Sequence, residues 1–278
     1  MSNATEPSNQ MQKKSEGSSK ATPLFSLFET MALLAGMVLA FFASQLLGVL
    51  IAGKLLLPSA SSQTVGDIFY HASGNGTIVS SSIFLSFIFL SALIVFLIRL
   101  KNGMICDYLA LKPFAMKVAI GMFGLLLLFM LGSQGLTYLL DKSPSRFVDP
   151  LYASVSSVWL LVIALVIVAP IYEELVFRGI IWSALKEQFS SRYVSDSLSN
   201  AELAIKSEAH GALMAGLITS LVFAIMHLQY GLYEISTIIV LALIFSYARY
   251  KSGSIVLPII LHVINNGFAM SQYLSQVT

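Results

Sequence analysis

The chain has 278 residues, of which 56% are hydrophobic and only 11% charged, with a formal net charge of +2. Soluble domains carry about 25% charged residues, so this balance excludes an ordinary soluble globule and predicts an integral membrane protein. There is no large basic patch and no RNA- or DNA-module signature, which argues against nucleic acid as a partner.

Residues 1–24 are polar, rich in Ser, Asn, Gln and Lys. They offer too little apolar area to fold and read as a disordered cytoplasmic tail. The first apolar run, 30–53, is long enough to span a bilayer and too long for a cleavable signal core, so an uncleaved anchor is expected. Runs at 78–100 and 114–140 complete an N-terminal membrane region, 25–149. Four more, at 155–185, 209–229, 232–250 and 254–273, occupy residues 150–278. The expected fold is an all-α polytopic transmembrane helical bundle of about seven helices. The longest hydrophilic connection is 187–208, and Tyr250-Lys251-Ser252-Gly253 makes a tight polar turn between the last two helices. The single cysteine, Cys106, cannot form an internal disulfide and reads as a small buried or interfacial hydrophobe. His71 and His210 fall in or beside loops and read as solvated, and Gly211 with Ala215 as small-residue helix packing.

Basic residues set the orientation. With the N-terminus cytoplasmic, that side collects Lys13, Lys14, Lys20, Arg99, Lys101, Lys112, Lys117, Arg178, Lys186, Arg192, Lys206, Arg249 and Lys251, which is 13 of the 16 Lys and Arg. The other side keeps Lys54, Lys142 and Arg146. The short loops and lone cysteine fit a bacterial inner membrane.

Three polar interruptions carry the chemistry. The fourth apolar run contains Glu173-Glu174-Leu175-Val176-Phe177-Arg178. An ionised side chain in a bilayer costs roughly 2.5–3.5 kcal/mol on insertion scales, so such groups are presumed functional. Residues four apart share a helix face, so Glu174 and Arg178 can pair, whereas Glu173 has Phe177 at that spacing. Glu173, left without a counter-ion in an apolar cavity, is the candidate general base, with Glu174 and Arg178 as its support. Pro170 lacks a backbone N–H and should loosen the helix just before the site. The fifth run places Phe223 and His227 on one face, and the seventh His262 and Asn266, with Asn265 as a close competitor. Glu173 with His227 could orient and deprotonate a water, while His262 and Asn266 donate to a developing oxyanion. Glu173, His227 and His262 could equally ligate a divalent metal such as zinc. No HExxH motif occurs. Taken singly, an intramembrane His or Asn is often interhelical glue, Arg178 a snorkelling anchor and Phe223 packing. At about 1.5 Å per residue, straight helices would leave these groups at different depths. Tilt, kinks at Pro170 and Pro258, or a longer fourth helix must reconcile them.

In order, EExxxR at Glu173, Glu174 and Arg178, FxxxH at Phe223 and His227, and HxxxN at His262 and Asn266 resemble the CAAX-protease and bacteriocin-processing (CPBP, or Abi) family of intramembrane proteases. The resemblance covers about residues 150–275. It implies a helical endopeptidase acting on a membrane-associated peptide, prenylated CAAX-like in eukaryotic members and bacteriocin- or envelope-related in bacterial ones. It also implies that the first glutamate and the FxxxH histidine activate water, that the last His and Asn stabilise the oxyanion, and that the mechanism is glutamate-dependent or metal-assisted. The long 187–208 connection departs from the pattern. Two other functions stay open on the sequence: a non-catalytic scaffold or immunity protein of the same fold, and a small proton-coupled transporter.

Overall fold

The computed structural model describes residues 22–57, 64–141, 148–193, 199–227 and 230–277. The tail expectation for 1–21 lies outside them. All regular structure among these residues is helical. The helices are α1 (Leu27–Leu56), α2 (Val65–Ala72), α3 (Gly76–Leu100), α4 (Ile105–Tyr108), α5 (Met116–Leu139) and α6 (Asp149–Ser154). They continue with α7 (Val158–Arg192), α8 (Asn200–Ile225), α9 (Leu232–Ser252) and α10 (Val256–Val277). Six of them, α1, α3, α5, α7, α8 and α9, are long and apolar enough to cross a membrane. The protein is an integral, multi-pass membrane protein.

The expected seventh span forms as α10 but is not among those six. His262, Asn265, Asn266, Ser271 and Gln272 make it too polar. The connection expected over 187–208 is far shorter, because α7 runs on to Arg192 and α8 already starts at Asn200. Its start is set by a local signal: Ser199 and Glu202 form a reciprocal capping box, as Ser26 and Glu29 do for α1. Charged residues that looked like loop therefore sit on helix ends. His210 is one consequence. It lies inside α8, with its ring against Tyr193 and Phe189, and is not a loop residue. Cys106 is exposed on α4, not buried. His71 is exposed as expected, although on α2.

α7 is the axis of the bundle. Leu161, Ala164, Val176, Ile180 and the guanidinium of Arg178 have no exposure, and Phe177 and Trp182 almost none. Gly211 brings α8 close, since a Cβ there would meet Ser190 and the Lys186 carbonyl. That agrees with the packing role read from the sequence for Gly211 and Ala215. Leu24 N–H donates to Glu187 (2.9 Å) and Gln188 to the Phe25 carbonyl (2.6 Å), tying the chain just before α1 to the end of α7. At the far end of α9, Gly253 (φ 63°) provides the left-handed residue that turns the chain into α10.

Candidate active site

The α7 backbone is irregular where the chemistry is expected. Wider π-type turns at Ile163–Val168 and Leu175–Ile181 flank an α-helical turn, Ala169–Glu174. In the first, Ala169 N–H pairs with the Ala164 carbonyl, five residues back. The next bond in that series would need an N–H at 170, which proline lacks. The Leu165 carbonyl is thus left over, and Asn266 Nδ2 from α10 donates to it (3.1 Å). A return from i−5 to i−4 pairing likewise leaves a carbonyl unclaimed. Arg249 Nε from α9 donates to the one at Arg178 (3.2 Å). Pro170 therefore does loosen the helix, and two side chains from other helices hold the loosened backbone.

On this helix Glu174 and Arg178 form the expected pair (Oε1 to Nη1, 3.0 Å), with no exposure of either side chain. Removing two charges from water is costly, and further hydrogen bonds must offset it. Arg178 Nη2 donates to the Ala242 carbonyl of α9 (2.9 Å), and its guanidinium lies over Phe223 (4.9 Å) and Phe245 (5.6 Å). Satisfaction is incomplete even so: Glu174 Oε2 and Arg178 Nε are buried without a hydrogen bond.

The same Glu174 Oε1 accepts from His262 Nδ1 at 2.9 Å. An oxygen that already accepts from Arg178 is a carboxylate acceptor, so the proton of this bond is on Nδ1. The ring is thereby oriented with Nε2 towards Glu173, 3.7 Å from Oε2. Phe245 stacks on the ring at 4.8 Å and Phe223 meets its edge at 6.0 Å. Glu173 is the more open of the two glutamates, its side chain 13% exposed against none for Glu174. The Nε2–Oε2 gap is too long for a direct hydrogen bond and within reach of a bridging water.

His227 lies just past the end of α8. Its Nδ1 pairs with the Phe223 carbonyl (2.8 Å), while its ring packs on Phe223 (4.7 Å) and parallel to Tyr230 (6.2 Å, 17°). It is not within 4.0 Å of a Glu173 oxygen, although it is near enough to act on that carboxylate electrostatically. Phe223 joins the set together: its ring contacts Phe177, His227, His262 and Arg178. Asn265 donates to Asn266 Oδ1 (3.3 Å).

The expected depth conflict is resolved by where the helices end. Gly179, six residues beyond Glu173, packs beside Ile255, seven before His262, so both groups stand about 9–10 Å from a common level. Glu173 and His262 face each other and His227 joins them through Phe223, while Asn266 lies one turn beyond His262 on α10 and is held on the Leu165 carbonyl. One role and three participants were not anticipated. Glu174 was assigned to Arg178 alone, yet it also orients His262. Arg249 looked like an ordinary positive residue at a helix end. Phe245 and Ala242 belong to an apolar run in which nothing marks them out.

Glu173, His227 and His262 were the expected ligands for any metal. Among the described residues no three His, Cys, Asp or Glu side chains converge so as to hold a metal ion. His262 and His227 each bond through Nδ1, to Glu174 and to a carbonyl, which leaves Nε2 as the atom that would face a metal. As the described side chains stand, the three do not share one metal position.

Residues 155–268 match the family model described as type II CAAX prenyl endopeptidase Rce1-like. That is the family the three motifs resemble, and all seven motif residues lie within the matched Rce1-like segment. An uncharacterized 24.3 kDa protein of Escherichia coli is 33% identical over 120 residues, which cover 42% of this chain and 46% of that protein. The chain thus aligns with under half the length of that relative. No solved structure matches.

Proposed function

We propose that the protein is an intramembrane endopeptidase that hydrolyses a peptide bond in a membrane-associated peptide or protein, by a glutamate-dependent route that needs no metal. The observation that carries this reading is the row Arg178–Glu174–His262–Glu173, with contacts of 3.0, 2.9 and 3.7 Å. Its last gap is the size of a water bridge. Glu173 is the base: it accepts a proton from a water lying between its Oε2 and the His262 ring. That water attacks the scissile carbonyl, and the proton then passes to the leaving amine. Glu174 and Arg178 do no chemistry; they fix the ring, as an orienting carboxylate fixes a catalytic histidine elsewhere. His227, with Nδ1 on a carbonyl, presents Nε2 as the second imidazole for proton transfer. The family resemblance assigns His262 and Asn266 to the oxyanion; Asn266, with one amide hydrogen on the Leu165 carbonyl, has a second to offer. The bacterial inner membrane is the proposed location, and a prenylated CAAX-like, bacteriocin-related or envelope peptide the substrate class.

The deciding experiment compares membrane-associated peptides, by mass spectrometry, between cells expressing the wild-type protein and Glu173→Gln at equal abundance. Fragments made only by the wild type are expected, and their formation should survive a chelator in isolated membranes. Identical peptide sets would remove the enzymatic reading and leave a scaffold. Fragments lost on chelation would transfer the chemistry to a metal.

A further inference from the structure

A cavity of about 1120 Å³ lies away from Glu173. It is lined by residues near the end of α3, on α4, before α5, along the last turns of α7 and the first of α8, and at the end of α9. Arg249 lines it and is itself only 6% exposed. Its Nε is spent on the Arg178 carbonyl, and its plane lies over Trp182, 4.7 Å from the ring centroid. Among the described residues no carboxylate pairs with it, and Nη1 and Nη2 have no hydrogen-bond partner. An arginine fork left idle in a buried wall is unusual, because a buried cation is normally paired. Its place in the last turn of α9 favours a positive charge there. The helix end does not, however, give the two terminal nitrogens a partner.

The rest of the wall carries both signs. Lys112 packs over Gly253, directly after α9, and is exposed at the cavity. Of its acidic residues Glu208 pairs with Lys186 (2.6 Å), and Glu187, which accepts from Leu24 N–H, keeps its charge. Asp107, exposed on α4, is the remaining one. Tyr108 also lines the cavity. Burial first and Glu187 second raise the pKa of its phenol, so it stays a proton donor. Tyr108 Oη, Trp182 Nε1 and Ser190 Oγ are buried without a hydrogen bond.

We propose that this cavity binds a phosphate-type oxyanion, with Arg249 as the central donor and Lys112 beside it, and that in the membrane the occupant is an anionic phospholipid headgroup. A planar guanidinium takes two phosphate oxygens at once, which suits the two idle nitrogens. The level is also that of headgroups. α3 ends at Leu100, α5 begins at Met116 and α9 ends at Ser252, so three apolar spans stop around it. Because Arg249 holds the Arg178 carbonyl, an occupied cavity would also stiffen the π-type turn that carries Arg178. The assignment does not depend on proteolysis.

Native mass spectrometry of the purified full chain, titrated with phosphatidylglycerol and with phosphatidylcholine, tests it. The wild type should retain one phosphatidylglycerol in preference to phosphatidylcholine. Loss of a charge-assisted bidentate contact should weaken that binding at least about tenfold in Arg249→Gln and about threefold in Lys112→Ala. Arg249→Lys, which keeps the charge and loses the fork, should fall between. Should Arg249→Gln not fold, Lys112→Ala and Arg249→Lys carry the comparison. Inorganic phosphate that displaces the lipid at millimolar concentration would make free phosphate the occupant; retention in its presence keeps the headgroup. Equal binding of both lipids by the wild type and every variant, with no effect of phosphate, would overturn the site.

Discussion

α5 and α7 are both apolar enough to cross a membrane, yet 11% of the apolar window of α5 is buried inside the protein against 50% of that of α7. α5 exposes Met116, Ile120, Leu128 and Leu131 along its length. Its apolar side chains meet surroundings as apolar as themselves. α7 is packed through its middle, where no residue from Val168 to Leu185 is exposed, and its polar groups there must be satisfied by neighbours or remain unsatisfied. Hydropathy measures what a residue can tolerate, not what surrounds it, so it cannot tell the rim of a bundle from its axis. The charged residues of α7 can. A buried carboxylate and its arginine survive at that position only where other helices supply partners: α10 donates to Glu174, and α9 accepts from Arg178.

The largest expected effect sharpens this contrast at the site. Glu173→Gln should lower the cleavage rate about 10³-fold, as expected for loss of a general base. It should leave the thermal midpoint in detergent nearly unchanged, because the residue pairs with no cation directly. A parallel fall in stability and activity would mean that Glu173 is structural. Arg178→Ala tests the packed axis. It strands Glu174 without its cation and should cost about 3–5 kcal/mol, read as a large fall in the unfolding midpoint with loss of activity. A fully stable Arg178→Ala protein would contradict the buried-pair picture. Gly211→Leu probes the α7–α8 contact. The side chain has no room beside Ser190 and the Lys186 backbone, and overpacking of this kind costs about 1–3 kcal/mol in the same measurement. At the rim, Leu128→Ala (68% exposed in the wild type) should cost less than about 0.5 kcal/mol in the same measurement. A larger loss there would show that α5 has a protein partner in the membrane.

Much of the site was legible because its residues are costly where they stand. The EExxxR spacing alone predicted the Glu174–Arg178 pair, and the 3.0 Å contact follows from the four-residue helical repeat. Pro170 announced a disturbance in the backbone, since a missing N–H is visible in any sequence. His262 was singled out as a candidate site residue, but its bond to Glu174 was not foreseen, because nothing local couples position 174 to 262. The helix ends around 187–208 were misread for a different reason: a charged helix leaving the membrane looks like a loop when hydropathy is the guide. The Ser199–Glu202 capping box was the available correction.

By itself, the sequence determined an all-helical membrane protein, the approximate position of each long helix, and the polar side chains too expensive to be there by accident. These are local properties: hydropathy and spacing act within one helix. Only the tertiary structure decided that one glutamate orients His262 while its neighbour faces it. Only there do Asn266 and Arg249 take up the carbonyls that an irregular α7 leaves over. Such pairings depend on the relative depth and rotation of separate helices, which packing sets and no single segment encodes.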